Sequence, residues 1–298
     1  MKVYLTISLF GILTIFTNYN VQCQSNIAYE HFTKPAENPI LQADSSYIFY
    51  CPIKKDNLRW QRADVFNPAV IVKDGKIMLL YRAEDNPKAH LGGRTSRIGL
   101  AESTDGIHFK KYPTPVLFPA EDAFKNFDSP GGCEDPRVVV TAEGVYVMAY
   151  TSWNYDVPRL SIAFSKDLQT WEKKGPAFEK AYDGKFKNMA SKSGSILTQK
   201  VGNTYVAAKI NGKYWMYWGE HGVNLASSEN LSDWYPELTA EGKLNYIIEP
   251  RTGMFDSNLT ECGPPALITN EGVVLIYNGK NSDDASKATP NLPVGTYT

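Results

Sequence analysis

Histidine and cysteine are scarce in this chain, four of each among 298 residues, and no two of them stand at a CxxC or Cys/His spacing that would hold zinc. No nucleotide-binding motif occurs, so neither a metal nor a cofactor is expected. Neither sign of charge dominates: 31 Lys and Arg meet 32 Asp and Glu, a net charge of −1. That balance excludes the basic surface that nucleic-acid binding requires. Beyond the first residues no apolar run approaches the ~20 positions of a membrane-spanning helix. Helical periodicity is missing throughout.

What is present begins with MKVYLTISLFGILTIFTNYNVQCQS. Lys2 precedes an apolar stretch from Val3 to Phe16, and Val21-Gln22-Cys23 suits a cut before Gln24. This reads as a secretory signal peptide over 1–23, followed by an N-terminal segment, 24–58, and a catalytic domain, 59–298. Export to the periplasm or the cell exterior follows. A lipid anchor on Cys23 is the lesser reading, because Asn20-Val21-Gln22 is a poor lipobox. Cys51, Cys133 and Cys262 then remain, enough for at most one disulfide. Aromatics at 12 % suit both a β-rich core and stacking on sugar rings.

Three segments repeat: IGLAESTDGIHFKK from Ile98, LSIAFSKDLQTWEKK from Leu160 and VNLASSENLSDWYP from Val223. They align Ala101, Ala163 and Ala226, and likewise Phe109, Trp171 and Trp234. Strand pairs precede them, with turn signals at Asp74-Gly75, Glu143-Gly144, Gly202-Asn203 and Glu271-Gly272. A four-strand unit recurring every ~60 residues is the signature of an all-β propeller. The Ser-x-Asp-x-x-x-Trp turns are then structural punctuation. In a propeller the first strand of each blade lines the axis, so the residues opening those strands converge. Here they are Phe66-Asn67-Pro68, Glu134-Asp135-Pro136, Ser191-Lys192-Ser193 and Glu261-Cys262-Gly263-Pro264-Pro265. An Asn, an Asp, a Lys and a Glu would face one cavity, a coincidence that favours function over scattered surface charge.

The stretches FNPAVIV (66–72), LLYRAED (79–85), SRIGLAESTDG (96–106), GGCEDPRV (131–138), MYWGEHGVNLASSENL (216–231) and FDSNLTECGPPALIT (255–269) resemble glycoside hydrolase family 130. That family comprises mannoside phosphorylases and β-1,2-mannosidases. The resemblance implies a five-bladed β-propeller. From Asn67 to Thr298 there is room for fewer than four full repeats, so the last blade is expected to be missing or closure to be unusual. WGE and the Glu before CGPP resemble the branch that hydrolyses β-1,2-mannosides.

By this resemblance Asp135, in EDPR, is the general acid, its proton passing through a sugar hydroxyl. Glu220 and Glu261 are the candidates for activating water, as inversion requires, the alternative for either being a plain sugar ligand. Asn67, Arg82, Asp85 and Arg97 resemble the family's sugar-binding set; the alternative for Arg82 is an ion pair with Asp85 that closes a blade. Glu134 is read as a structural neighbour or partner, since adjacent strand residues face opposite ways, and Arg137 as sharing the Asp135 face, where it holds Asp135 ionised or orients it. Trp153, Tyr155 and Trp218 either stack on a leaving sugar or pack the blades. The expected activity is an exo-acting, inverting β-1,2-mannosidase whose partner is a mannose-containing oligosaccharide. One rival is a phosphorylase, for which Lys192 and His221 would bind phosphate. A second is a non-catalytic glycan-binding propeller.

Overall fold

Alternating apolar residues and tight turns make the chain all-β. The computed structural model describes residues 33–90 and 92–298, and the expected signal peptide lies outside the described residues. Among the described residues the single α-helix is Lys125–Asp128, and no helix is long and apolar enough to cross a membrane. Residues 34–298 pack as one unit.

Strands follow one another as antiparallel meanders. The first runs Asp64–Lys73, Lys76–Glu84, Ser96–Ser103, Lys110–Lys111; the second runs Gly132–Val140, Tyr146–Trp153, Arg159–Ser165, Glu172–Pro176. In the third, Ser195–Ile196 pairs with Lys213–Trp218, which pairs with Val223–Ser228 and then Tyr235–Pro236. In the fourth, Leu259–Cys262 pairs with Tyr277–Lys280. The turn signals fall where expected, but the last two strand pairs differ from their sequence reading. Thr198–Val201 with Thr204–Ala207, and Leu267–Thr269 with Gly272–Val274, are hairpins inserted between a first and a second strand. Both join the sheet of the first two meanders through parallel contacts, Val206 with Val140 and Thr198 with Leu267.

The cores lie between successive meanders because each central strand is apolar on both faces. Val138, Val140, Met148 and Tyr150 pack against Met78, Leu80, Ile98 and Leu100. The alternate residues Val139, Val147 and Ala149 pack against Ile196, Met216 and Trp234. Ala101, Ala163 and Ala226, the aligned alanines, are all fully buried. Their turns repeat one hydrogen-bond pattern: the hydroxyls of Ser103, Ser165 and Ser228 each accept two backbone N–H groups at the start of the turn. Trp171 and Trp234 donate their indole N–H to the carbonyls of Leu168 and Leu231. Cys51, Cys133 and Cys262 are buried free thiols.

Candidate active site

Two β-bulges shape the site. Asn67-Pro68 and Asp135-Pro136 each insert two residues opposite one on the neighbouring strand. Asn67 has φ +46° and Asp135 φ +49°, left-handed backbone that Asn and Asp tolerate best. The following prolines lack the N–H that a regular ladder would need. The amide of Asn67 donates to Asp135 Oδ1 at 2.9 Å, so one bulge grips the other. Upstream, Gly132 (φ +114°) meets Ser96 in a parallel bridge; a Cβ there would lie 2.1 Å from the Ser96 carbonyl oxygen. Only glycine lets the two strand openings approach this closely.

The bulge overturns strict alternation. Glu134 and Asp135 both reach the guanidinium of Arg82, at 2.8 Å and 3.1 Å. Glu134 is therefore a partner within the same cluster. Arg82 also holds Glu84 at 2.6 Å, and the Ser96 hydroxyl lies within hydrogen-bond reach of both Glu84 and Glu134. Lys192 stands between Asp135, at 3.8 Å, and Glu220, at 3.5 Å. Burial opposes the charge on Asp135, yet Arg82, Lys192, Asn67 and Arg137 together hold its carboxyl below the usual carboxylate range. Burial, helped by the charge of Asp135 and outweighing Arg82, pushes Glu134 up to about 7. Burial also works against the charge of Lys192, but Asp135, Glu220, Glu261 and Glu134 raise its pKa above the ordinary lysine value.

Arg137 forms no ion pair with the Asp135 carboxylate, because the bulge breaks the period-two face they would have shared, and helps hold it ionised only through its nearby charge. It donates to the carbonyls of Cys262 (2.7 Å), Gly263 (2.8 Å) and Asp135 (3.1 Å) and lies 3.6 Å from Glu261. It thus ties the Asp135 strand to the Glu261 strand. Ser193, again at positive φ, donates to Glu261 at 2.5 Å. The Trp218-Gly219-Glu220 segment is fixed between two strand openings: Gly219 N–H donates to the Lys192 carbonyl and Cys262 N–H to that of Gly219. A side chain at Gly219 (φ +127°) would strike the Gly222 carbonyl, so the turn that presents Glu220 and His221 needs glycine.

The two glutamates line separate cavities. Glu261 borders one of about 360 Å³ with Asn67, Arg137 and Asn278. Glu220 borders one of about 200 Å³ with Lys192, His221 and Tyr246. Asp135, in contact with Asn67 of the first and Lys192 of the second, stands between these linings.

The structure thus gathers Asn67, Arg82, Asp135, Arg137, Lys192, Glu220 and Glu261 into one contact network, with His221 beside Glu220. Asp85 and Arg97 fall elsewhere. In the hairpin register Glu84 faces Ser96 and Ala83 faces Arg97, which puts Arg97 on the opposite face from Arg82. There Arg97, with no exposed surface, binds Asp85 at 3.1 Å, and Lys54 adds a second cation at 3.3 Å. Asp85 consequently does not pair with Arg82. Trp218 packs in the core against Phe178, ring centres 4.6 Å apart, while Trp153 and Tyr155 donate to carbonyls of Gly92 and Gly93. Glu84 and Ser96 escaped the sequence reading, and Ser193 entered it only as a neighbour of Lys192 in a strand opening. Glu84 was visible as the residue two after Arg82, on the same face of an alternating strand. Among the described residues no group of His, Cys, Asp and Glu is arranged to hold a metal.

Comparison with known proteins gives a consistent answer. Residues 33–289 match the family model of glycoside hydrolase family 130, described as beta-1,4-mannooligosaccharide phosphorylase. A 1,2-beta-oligomannan phosphorylase from Thermoanaerobacter sp. (strain X514) is 31 % identical over 229 residues, 76 % of this chain and 67 % of that protein. A glycosyl hydrolase structure from Bacteroides ovatus superposes with a TM-score of 0.88 at 49 % identity, covering 90 % of this chain and 74 % of the other. A third similar structure comes from work on glycoside hydrolases in this family that target beta-1,2 mannosidic linkages in Candida mannan. It is 52 % identical, with a TM-score of 0.87, over 89 % of this chain and 73 % of that one.

Proposed function

The chain belongs to glycoside hydrolase family 130, whose members act on mannosides, and on that premise we propose that it is an exported, inverting β-1,2-mannosidase releasing mannose from the ends of mannooligosaccharides. In this reading its meanders are blades of a five-bladed propeller, with residues 24–58 preceding a catalytic domain over 59–298. Asp135 supplies the proton to the leaving oxygen through a sugar hydroxyl. Glu220 and Glu261 hold and deprotonate the attacking water. Asn67 and Arg82 fix the Asp135 carboxyl, and Arg137 fixes the strand of Glu261.

The observation that carries hydrolysis is the pairing of the cations. Arg82 already meets three carboxylates, Lys192 meets Asp135 and Glu220, and Arg137 is spent on three carbonyls and Glu261. A phosphate dianion entering here would face glutamates with no spare cation, each opposing it by about 1–4 kcal/mol. Water carries no such penalty.

Phosphorolysis is the second reading. It draws on the phosphorylase names of the matched family model and relative, and on Lys192 and His221 lining the cavity of Glu220. Incubation with β-1,2-mannobiose, with and without inorganic phosphate, separates the two. Free mannose formed without phosphate is expected. Mannose 1-phosphate formed only with phosphate would establish the phosphorylase, and binding without turnover a glycan-binding protein.

A further inference from the structure

The opening of the third meander, Ser191-Lys192-Ser193, touches both glutamates of the site, and it touches them differently. Lys192 meets Glu220 through its charge, at 3.5 Å. Ser193 donates its hydroxyl to Glu261 Oε1 at 2.5 Å. Ser191 faces the second meander instead, its hydroxyl accepting from the Leu160 N–H. Ser193 is fully buried, and its backbone lies at φ +60°. Glycine enters that region at no steric cost, whereas a residue with a β-carbon is strained there. The turn alone therefore does not account for a serine.

A purely structural task would be to latch the third meander to the fourth. Other side chains already do this through main-chain carbonyls: Arg137 on Cys262 and Gly263, Ser195 on Pro264 at 2.6 Å, and Thr198 on Ala266 at 2.8 Å. The backbone of Glu261 is further paired with Asn278 in the ladder. None of these bonds reaches the carboxyl group. A glutamate side chain turns about several bonds, each with its own staggered wells, so a fixed backbone does not fix its carboxylate. Among the described residues Ser193 is the one hydrogen-bond donor to the Glu261 carboxyl.

We propose that Ser193 is a positioning residue for Glu261, its hydroxyl pinning Oε1 so that Oε2 is the oxygen that takes the proton from the attacking water. The inference rests on the mannosidase reading, in which Glu261 shares the base work. Two observations support it. The Ser193 bond and the nearest approach of Arg137, at 3.6 Å, both fall on Oε1, and among the described residues no hydrogen bond is made to Oε2. Glu261 also borders the cavity of about 360 Å³, where a water could stand against that free oxygen. In the step itself Oε2 accepts one water proton as the water oxygen bonds to the anomeric carbon. The glycosidic bond breaks, and its oxygen leaves with the proton supplied from Asp135. Ser193 keeps its own proton throughout.

The test is a double-mutant cycle on β-1,2-mannobiose hydrolysis by the full chain, with kcat and KM measured separately. Ser193→Ala removes the hydroxyl and keeps the β-carbon. Its kcat is expected to fall roughly ten- to a hundredfold, the scale of one lost hydrogen bond to a charged group, with KM within about twofold and the unfolding midpoint nearly unchanged. In a Glu261→Gln background the same change should alter kcat by less than about twofold. In a Glu220→Gln background it should keep its full factor, because Ser193 does not touch that residue.

An equal factor in both backgrounds would mean that Ser193 does not act through Glu261, and an unchanged kcat in the single variant would mean that it does not act at all; either overturns the proposal. Ser193→Gly, for which φ +60° is relaxed, should match the alanine variant and replaces it if alanine prevents folding. If neither variant folds, Ser193 is a structural latch and the proposal falls. A wild-type chain that releases no mannose from mannobiose removes the mannosidase reading itself, a result visible before any variant is made.

Discussion

The hairpin of Lys76–Glu84 and Ser96–Ser103 carries a buried arginine on each face. On one face Arg82, stacked 4.7 Å from the Phe66 ring, gathers Glu84, Glu134 and Asp135, and Asp135 contacts Asn67 and Lys192, which line two cavities. On the other, Arg97 has Phe49 6.0 Å away and Cys51 beside it, and its carboxylate is Asp85. Burial is nearly alike on both faces. What differs is the number of carboxylates gathered on one guanidinium. Three carboxylates share the one guanidinium of Arg82, with Lys192 adding a cation at Asp135 and Arg94 one at Glu84, whereas Asp85 alone is met by both Arg97 and Lys54. Neither burial nor a bordering cavity therefore sets the Arg82 cluster apart; the sharing of one guanidinium among three carboxylates does.

Substitutions on the two faces should separate activity from stability. The largest effect is expected on the Arg82 face: Asp135→Asn should lower kcat/KM on mannobiose by about a thousandfold, within the range for loss of a general acid, with the thermal unfolding midpoint nearly unchanged. Next, Arg97→Met should cost about 3–5 kcal/mol of stability, the usual result of leaving a buried carboxylate without its main partner. Denaturant unfolding would measure that loss, and kcat/KM of the folded fraction should stay within a few-fold. A large catalytic loss with little loss of stability would return Arg97 to the sugar-binding set. Glu220→Gln and Glu261→Gln should each reduce turnover on the order of 100-fold; single-turnover assays that found only one of them sensitive would assign water activation to that cavity alone. Smallest is Lys54→Met, which removes the half-exposed cation from Asp85 and should cost under about 1 kcal/mol, with activity unaltered.

The repeat was legible because its residues act locally. Ser103, Ser165 and Ser228 cap their own turns, and Trp171 and Trp234 bond back three residues, so the spacing of the letters carries the structure. The strand-opening set Asn67, Asp135, Lys192 and Glu261 was readable for the same reason, since it follows the repeat. Two other features were not. The bulge at Asp135-Pro136 replaces alternation with a two-against-one pairing, and this moved Glu134 onto Arg82 and Arg137 away from the Asp135 carboxyl. The face of Arg97 depends on register across the 85–95 connection, which a one-dimensional pattern does not specify. The inserted hairpins at 198–207 and 267–274 look like ordinary strand pairs because their residues alternate like any other hairpin.

The left-handed backbone at Asp135 also bears on which sequences this position can tolerate. Aspartate and asparagine enter that conformation more readily than longer side chains, for which it costs about 1–2 kcal/mol. The backbone therefore admits a short list, chiefly Asp, Asn and Gly, while the proton donation proposed for Asp135 admits another, Asp and Glu. Aspartate is the single member common to both. A change to glutamate keeps the acid but breaks the turn, and a change to asparagine keeps the turn but loses the acid. Under selection for turnover the position has no neutral neighbour to drift into, and the same geometry at Asn67 imposes a matching restriction one meander earlier.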